Sequence, residues 1–319
     1  MEKVKEWYED ETFGAFWEKG YRDKSVSTMG GPSVEIYEIL PFLPKGARVL
    51  DLGCGEGRNS IYLAQNGCKV TCIDHSEHAV EKIKLASKDL GLDVDARVGD
   101  LSKIETLGIS GKYDLIMAHG VLYYLTNEQW KSLLNVLKES TVDGGFNIYT
   151  LFIFSDEYPA LDEIVSAGYK FSFEPEELKE FYQDWNIFRY DMYVKWDKHP
   201  NIPVHVHPIE KLIACKGKDV PKYNLKSLYV EDSSLTRERF DEVEIGINEK
   251  DLIEDIGKPI LIDEIDFKGN MVGCNDYIES KYVLRDLFYG NYGFQFINDE
   301  LRGKYIYNTE PSRLVKEGA

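Results

Sequence analysis

The chain has 319 residues, of which 43% are hydrophobic, so it is long enough for one α/β core and a smaller second unit. Its formal net charge of −18 disfavours a nucleic acid partner, because an acidic surface repels phosphate backbones. With no apolar run of about 20 residues, a charged N-terminus and no C-x-x-C pair, the chain is expected to be cytoplasmic, with no membrane partner and no structural metal.

Residues 1–45 are predicted to form an N-terminal helical lid. Phe13, Phe16, Trp17 and Tyr21 follow one another at helical spacing. One interpretation is a stripe that faces the core. The other is that Trp17 and Tyr21 close over a cofactor, with their rings near a cation. Residues 28–32, which include two glycines and a proline, would then be the hinge.

The most informative segment, residues 48–74, is typical of a strand, a glycine-rich turn, a helix and a second strand. The missing side chains of Gly53, Gly55 and Gly57 would let a ligand contact the backbone of the turn. The helix that begins at Arg58 would direct its free N–H groups at that ligand. Asp74, which lies 17 residues after the last glycine, is placed to bind both hydroxyls of a ribose.

The spacing D-x-G-x-G-x-G, from Asp51 to Gly57, differs from the dinucleotide fingerprint G-x-G-x-x-G. It resembles the first motif of class I S-adenosylmethionine (SAM) methyltransferases. The resemblance implies SAM as the cofactor and S-adenosylhomocysteine as its product, with NAD as the alternative ligand. Asp51 would then assist the ammonium of SAM. The other residues predicted near the cofactor are Arg58, Asn59, His75, Leu101, Trp17 and Tyr21.

Two further predicted strands, 93–98 and 113–118, are each followed by a polar residue, Asp100 and His119. In the resembled family, an acid at the position of Asp100 binds the amino group of adenine. Ligands collect at the carboxyl ends of parallel strands, so Asp51, Asp74, Asp100 and His119 are expected at one site. The alternative for Asp74 and Asp100 alone is a helix cap or a turn. His119 faces the cleft in this topology and is therefore also a catalytic candidate.

A narrower resemblance begins at Gly57-Arg58-Asn59-Ser60, which is similar to the tellurite-resistance-type methyltransferases. Asp143-Gly144-Gly145 and residues 177–185 also match that family. The resemblance covers residues 13–216. It implies methylation of chalcogen oxyanions and related small acceptors, with His and Arg side chains beyond the fifth strand.

Strands predicted at 187–195 and 204–214 would form a hairpin that closes the edge of the sheet. The two-residue period of a strand puts His205 and His207 on one face. Arg189 and Tyr190 are expected to lie across the hairpin from them, where the cluster would bind an anion or accept a proton. Metal binding by His199, His205 and His207 is disfavoured, because no carboxylate or cysteine completes the set. Exposed edge-strand histidines are the remaining alternative.

The third unit, residues 217–319, begins within a linker predicted at 216–221. A helix or turn is expected at 233–240, and strand-like runs at 260–267, 289–296 and 304–307. Methyl transfer does not require about 100 additional residues. The unit is therefore interpreted either as a dimerisation or stabilising element, or as a part that engages an acceptor too large for the cleft.

These features predict an α/β protein with a Rossmann-like, seven-stranded methyltransferase sheet at 46–216, the lid at 1–45 and a smaller α+β accessory domain at 217–319. The predicted function is SAM-dependent methyl transfer to an acceptor engaged partly by the C-terminal domain. A peptide and carboxylate O-methylation are favoured, because a carboxylate needs no general base at neutral pH. The alternatives are a small-molecule methyltransferase acting on chalcogen oxyanions or thiols, and a SAM-binding protein without turnover. The oligomeric state is left open.

Overall fold

The computed structural model describes residues 15–25, 27–198, 204–229, 231, 234–270 and 279–318, so Phe13, His199 and Ser233 lie outside the described residues. The strands are β1 Arg48–Leu52, β2 Lys69–Asp74, β3 Val94–Val98, β4 Tyr113–His119, β5 Thr141–Phe152, β6 Asn186–Asp197, β7 His205–Cys215, β8 Tyr223–Ser227, β9 Leu261–Asn270, β10 Glu279–Tyr289, β11 Tyr292–Ile297, β12 Glu300–Tyr307 and β13 Ser312–Lys316. The helices are α1 Phe16–Arg22, α2 Val34–Ile39, α3 Arg58–Gln65, α4 Glu77–Leu90, α5 Asn127–Ser140, α6 Asp162–Ser166, α7 Glu177–Phe181, α8 Arg237–Glu242 and α9 Glu249–Ile256. Within these ranges, no helix is long and apolar enough to cross a membrane.

The first seven strands lie in the order β3-β2-β1-β4-β5-β7-β6. Strands β1 to β5 pair with one another in parallel orientation. Strand β7 is antiparallel to both β5 and β6. Val49, Leu50 and Leu52 of β1 are buried, as expected for a parallel strand covered on both faces. The predicted Rossmann-like α/β class is confirmed. This order brings the carboxyl ends of β1, β2 and β4 to one edge, where ligands bind in such sheets.

The hairpin of β6 and β7 exists, but it does not close the sheet, so that part of the prediction is wrong. Strand β6 pairs with β12 in antiparallel register, from Tyr193 opposite Tyr307 to Asp197 opposite Gly303. The sheet then continues through β11, β10 and β9 to eleven strands. A 12-residue strand such as β6 has a row of backbone N–H and C=O groups on each side, and β12 pairs with the outer row over residues 193–197.

The elements expected after residue 217 are largely present. Thr236 caps α8, and β9, β11 and β12 lie close to the three strand-like runs. Two other C-terminal strands, β10 and β13, contact the N-terminal part of the chain. Leu284 of β10 packs against Val34 and Tyr37 of α2, and the N–H of Leu314 on β13 donates to Glu38 at 2.9 Å. Helix α2 therefore lies between the parallel strands and the C-terminal strands.

Candidate functional site

The glycine turn after β1 requires glycine at its alternating positions. Gly53, Gly55 and Gly57 have φ values of 67°, 52° and 85°, in the left-handed region that other residues rarely adopt. A Cβ atom on Gly55 would lie 2.6 Å from the hydroxyl of Tyr21, so α1 covers the turn closely. Trp17 of α1 lines the same cavity. The structure thus brings the predicted lid onto the predicted cofactor turn; contact with a cofactor stays a prediction.

Three carboxylates lie at the adjacent strand ends. Asp74 Oδ2 accepts the N–H of Gly55 at 2.7 Å, and its Oδ1 accepts the N–H of Ser76 at 2.9 Å. Burial raises the pKa of Asp74. Asp51 accepts the hydroxyl of Ser60 at 2.7 Å, and its burial raises its pKa to about 6.

The third carboxylate, Asp100, differs from these two because its side chain is 38% exposed. Hydrogen bonds from the side chain and the backbone N–H of Ser102 lower its pKa to about 2, with a smaller contribution from Lys103. Asp51, Asp74 and Asp100 all line one cavity, together with His75, Leu101 and Arg58. The predicted cofactor residues, with the exception of Gly57, therefore line a single space.

Glu56, which the sequence analysis missed, holds the lid to the turn. Its carboxylate accepts the N–H groups of Thr28 and Met29 at 2.7 and 3.1 Å and pairs with Lys82 at 2.8 Å. Lys82 also donates to the backbone oxygens of Gly20 and Asp23 at the end of the lid. An acid between two turn glycines was the available sequence signal, but its partners are separated from it by up to 28 residues.

His119, at the end of β4, lies in a chain of polar contacts between α3, α2 and β7. Asn59 Nδ2 is 3.0 Å from His119 Nδ1, and Glu35 Oε1 is 3.1 Å from His119 Nε2. Glu35 also pairs with Lys211 at 2.7 Å. Burial raises the pKa of Glu35, but Lys211 and His119 outweigh that effect and hold the pKa well below its usual range. Glu35 and Lys211 had not been predicted.

One cavity of 1780 Å³ connects these groups with the C-terminal strands. Residues at alternate positions of β5, β7, β6, β12, β11 and β10 form its far wall, which includes Phe152, Lys211, Tyr193, Tyr305, Gln295 and Asp286. The cavity exceeds the range of about 300–1,000 Å³ that is common for small-molecule sites. It has room for a cofactor and a second ligand.

Charge is divided along the described lining of this cavity. In the cofactor half, lined by residues 15–31 and 51–103, six acids face two cations; the acids are Glu18, Asp51, Glu56, Asp74, Glu77 and Asp100. In the acceptor half, lined by residues 33–35 and 119–313, three acids face seven cations; the cations are Lys170, Arg189, Lys195, Lys198, Lys211, Arg302 and Arg313. The first half suits a cationic ligand and the second an anionic one.

The two strand histidines lie together as predicted. The rings of His205 and His207 are 4.4 Å apart, and His207 stacks on Phe152 at 4.6 Å and lines the cavity. The prediction that Arg189 and Tyr190 face them is wrong, because β6 pairs Arg189 with Ile213. Lys195 and Asp197 stand opposite the histidines instead.

Arg189 is buried and forms ion pairs with Glu38 and Asp191. It lines the cavity, but these two carboxylates already compensate its charge. Across the part of the chain that the structure describes, no cluster of three or more His, Cys, Asp or Glu side chains is arranged to hold a metal ion.

Comparison with known proteins gives a consistent match over the first two thirds of the chain. A family model described as tellurite resistance protein TehB matches residues 19–199. The probable SAM-dependent methyltransferase TehB of Haemophilus influenzae is 33% identical over 183 residues, which cover 56% of this chain and 60% of that protein. The putative methyltransferase YqeM of Bacillus subtilis is 29% identical over 181 residues, covering 51% of this chain and 70% of that protein.

The crystal structure of TehB from Haemophilus influenzae superimposes with a TM-score of 0.51 at 27% identity, covering 58% of this chain and 63% of the other. The chain thus spans between 54% and 63% of the length of the Haemophilus relatives that it matches. Strands β7 to β13 follow the segment that the family model matches.

Proposed function

The chain belongs to the TehB tellurite-resistance family, and on that basis we propose that it is a SAM-dependent methyltransferase whose acceptor is an anion bound against the C-terminal strands. The division of charge along the cavity carries this proposal. SAM has a sulfonium and an ammonium, which suit the acidic half. An anionic acceptor suits the half in which cations predominate.

The residues of the turn fit SAM. A Cβ atom on Gly53 would lie 2.6 Å from Val121, and one on Gly55 would lie 2.6 Å from the hydroxyl of Tyr21, so the glycines let these side chains approach the backbone of the turn closely. Asp74, held by two backbone N–H groups, is oriented to accept the ribose hydroxyls. Bound SAM would supply an electrophilic methyl group on a good leaving group.

Cationic side chains of the acceptor half would position the acceptor. Arg189 and Arg313 are each paired with two carboxylates and Lys195 pairs with Asp197 at 2.9 Å, so we expect Lys170 and Lys198 to meet the acceptor. Holding the acceptor in line with the methyl group is the main contribution that a protein can make to such a displacement. The lid α1 and the stacked pair His207 and Phe152 would exclude water.

We favour a carboxylate carried on a larger molecule, such as a short peptide. A carboxylate is already deprotonated at neutral pH and needs no base. The size of the cavity and the contribution of β10, β11 and β12 to its far wall support an acceptor larger than a simple oxyanion.

A small oxyanion is the second candidate, because the matching family and the Haemophilus relative are named for tellurite resistance. Release of S-adenosylhomocysteine by the full-length protein distinguishes the two, with short peptides offered in parallel with tellurite and selenite. Turnover of peptides, lowered in Lys198→Met and unchanged in the exposed Lys250→Met, supports the peptide proposal. Turnover of tellurite alone supports the second candidate, and SAM binding without any turnover would contradict both.

A further inference from the structure

The orientation of one buried amide is fixed by the backbone of the lid segment. Asn59 is 4% exposed, and its Oδ1 accepts the N–H of Ser33 at 2.9 Å. A backbone N–H can only donate, so the atom bonded to it must be the amide oxygen. The Nδ2 group of Asn59 consequently faces His119.

This orientation determines which ring nitrogen of His119 holds the proton. Asn59 Nδ2 is a donor, so His119 Nδ1 at 3.0 Å has to accept and is unprotonated. The ring proton then lies on Nε2, 3.1 Å from the carboxylate of Glu35. Lys211 beyond Glu35, and Asp51 on β1, are the other charged groups near the ring.

His119 lines the cavity and its Nε2 group is buried; although Nε2 lies 3.1 Å from Glu35, it makes no well-aligned hydrogen bond within the described residues. Buried polar groups of this kind normally have a partner, which a ligand can supply. The ring has no lone pair available on either nitrogen. It is therefore arranged to donate a hydrogen bond and not to remove a proton.

We infer that Asn59 is a positioning residue that holds His119 as the neutral Nε2–H tautomer, so that His119 donates a hydrogen bond to an oxygen of the acceptor. The inference rests on the proposed function in taking the acceptor to be an anion. It deepens that function, because an acceptor bound by this ring has to arrive already deprotonated. His119 in this form cannot act as the base that a hydroxyl acceptor would need.

The test is nitrogen NMR of the full-length protein labelled with ¹⁵N-histidine and bound to S-adenosylhomocysteine. The expected spectrum has an unprotonated Nδ1 and a protonated Nε2 for His119, assigned by the loss of its signals in His119→Gln. His78, whose Nδ1 lies 2.8 Å from Glu18, is expected to be protonated at Nδ1 and serves as an internal control. A protonated Nδ1 on His119 in the wild type would overturn the inference.

Two further experiments test the role of Asn59 and the role of His119 Nε2–H as a hydrogen-bond donor. Asn59→Asp cannot donate, so Nδ1 of His119 should become protonated; an unchanged spectrum would show that Asn59 does not set the tautomer. If this variant does not fold, the wild-type spectrum decides.

The second experiment uses acetate as the probe carboxylate. Acetate should shift the Nε2 signal, whereas sodium chloride at equal ionic strength should not, and no shift would contradict the donor role. None of these measurements needs turnover, so they stay informative if the proposed function fails.

Discussion

Glu35 and Lys211 form an ion pair at 2.7 Å although 176 positions separate them in the chain. Glu35 belongs to α2, directly after the predicted hinge, and Lys211 belongs to β7 in the middle of the sheet. The pair joins the lid segment to the acceptor half of the cavity. Its position explains how a residue near the N-terminus reaches a wall built from the later strands.

Lys211→Met is expected to destabilise the fold by about 3 kcal/mol, because it leaves the carboxylate of Glu35 buried without its cation. The double variant Glu35→Gln with Lys211→Met should lose less, since no charge is then stranded. Urea denaturation measures both. Lys226→Met is the control: Lys226 pairs with Asp263 at 3.6 Å and is half exposed, so a loss of about 0.5 kcal/mol is expected. Equal losses for the two lysines would contradict the role of the buried pair.

Gly55→Ala is expected to weaken S-adenosylhomocysteine binding at least about tenfold, because the new methyl group would displace Tyr21 from the turn. Tyr21→Phe in the same chain should restore part of the affinity by removing the nearest atom. Calorimetric titration measures each variant. Gly67 also has a positive φ, 84°, but open space around it, so Gly67→Ala reports the backbone cost alone and should leave affinity unchanged. Identical behaviour of the two alanine variants would argue against the contact with Tyr21.

Asp74→Ala should weaken binding of SAM and S-adenosylhomocysteine by about 10- to 100-fold, the usual loss for hydrogen bonds to a charged group. The same titration with the exposed Asp89→Ala should match the wild type. Undiminished affinity in the Asp74 variant would remove the ribose contact from the proposal. Preferential binding of NAD by the wild type would return the glycine turn to the dinucleotide alternative.

Glu210 gives a prediction about pH that does not involve the cavity. Burial raises its pKa from about 4.5 to about 7. The folded state therefore holds its proton more tightly than the unfolded state, and stability is lost as the pH rises from about 4.5 to 7. Glu210→Gln should remove this loss and gain about 3 kcal/mol relative to the wild type between pH 4.5 and 8.

Urea denaturation at the two pH values tests this, with the exposed Glu180→Gln as the control. A difference between Glu210→Gln and the wild type that does not change with pH would show that the carboxyl titrates normally.

The contrast between Asp74 and Glu35 shows which parts of the site the sequence could predict. Asp74 stands at a fixed distance from the glycine turn within one strand–helix–strand unit, so local spacing located it. Glu35 gains its role only through side-chain contacts between α2 and strands that follow much later in the chain. Its partner could not be identified without knowing which face of β7 lines the cavity.

Arg189 and β12 show two further limits. Strand β6 pairs Arg189 with Ile213, six positions along β7 from His207, so Arg189 lies beside Asp191 and away from the histidines. The alternation of side chains along the two strands does not specify this register. The alternation in β12 predicted a strand, but alternation does not specify the partner strand, and pairing with β6 was missed.

The most direct test of the central claim is a rate comparison between matched acceptors that differ only in charge. The full-length protein with SAM is offered a short peptide with a free carboxylate and the same peptide as its carboxamide, and the methylated products are measured by mass spectrometry. We expect methylation of the carboxylate and none of the amide. Methylation of both at equal rates, or at a nitrogen in either, would contradict an anionic acceptor in the basic half of the cavity.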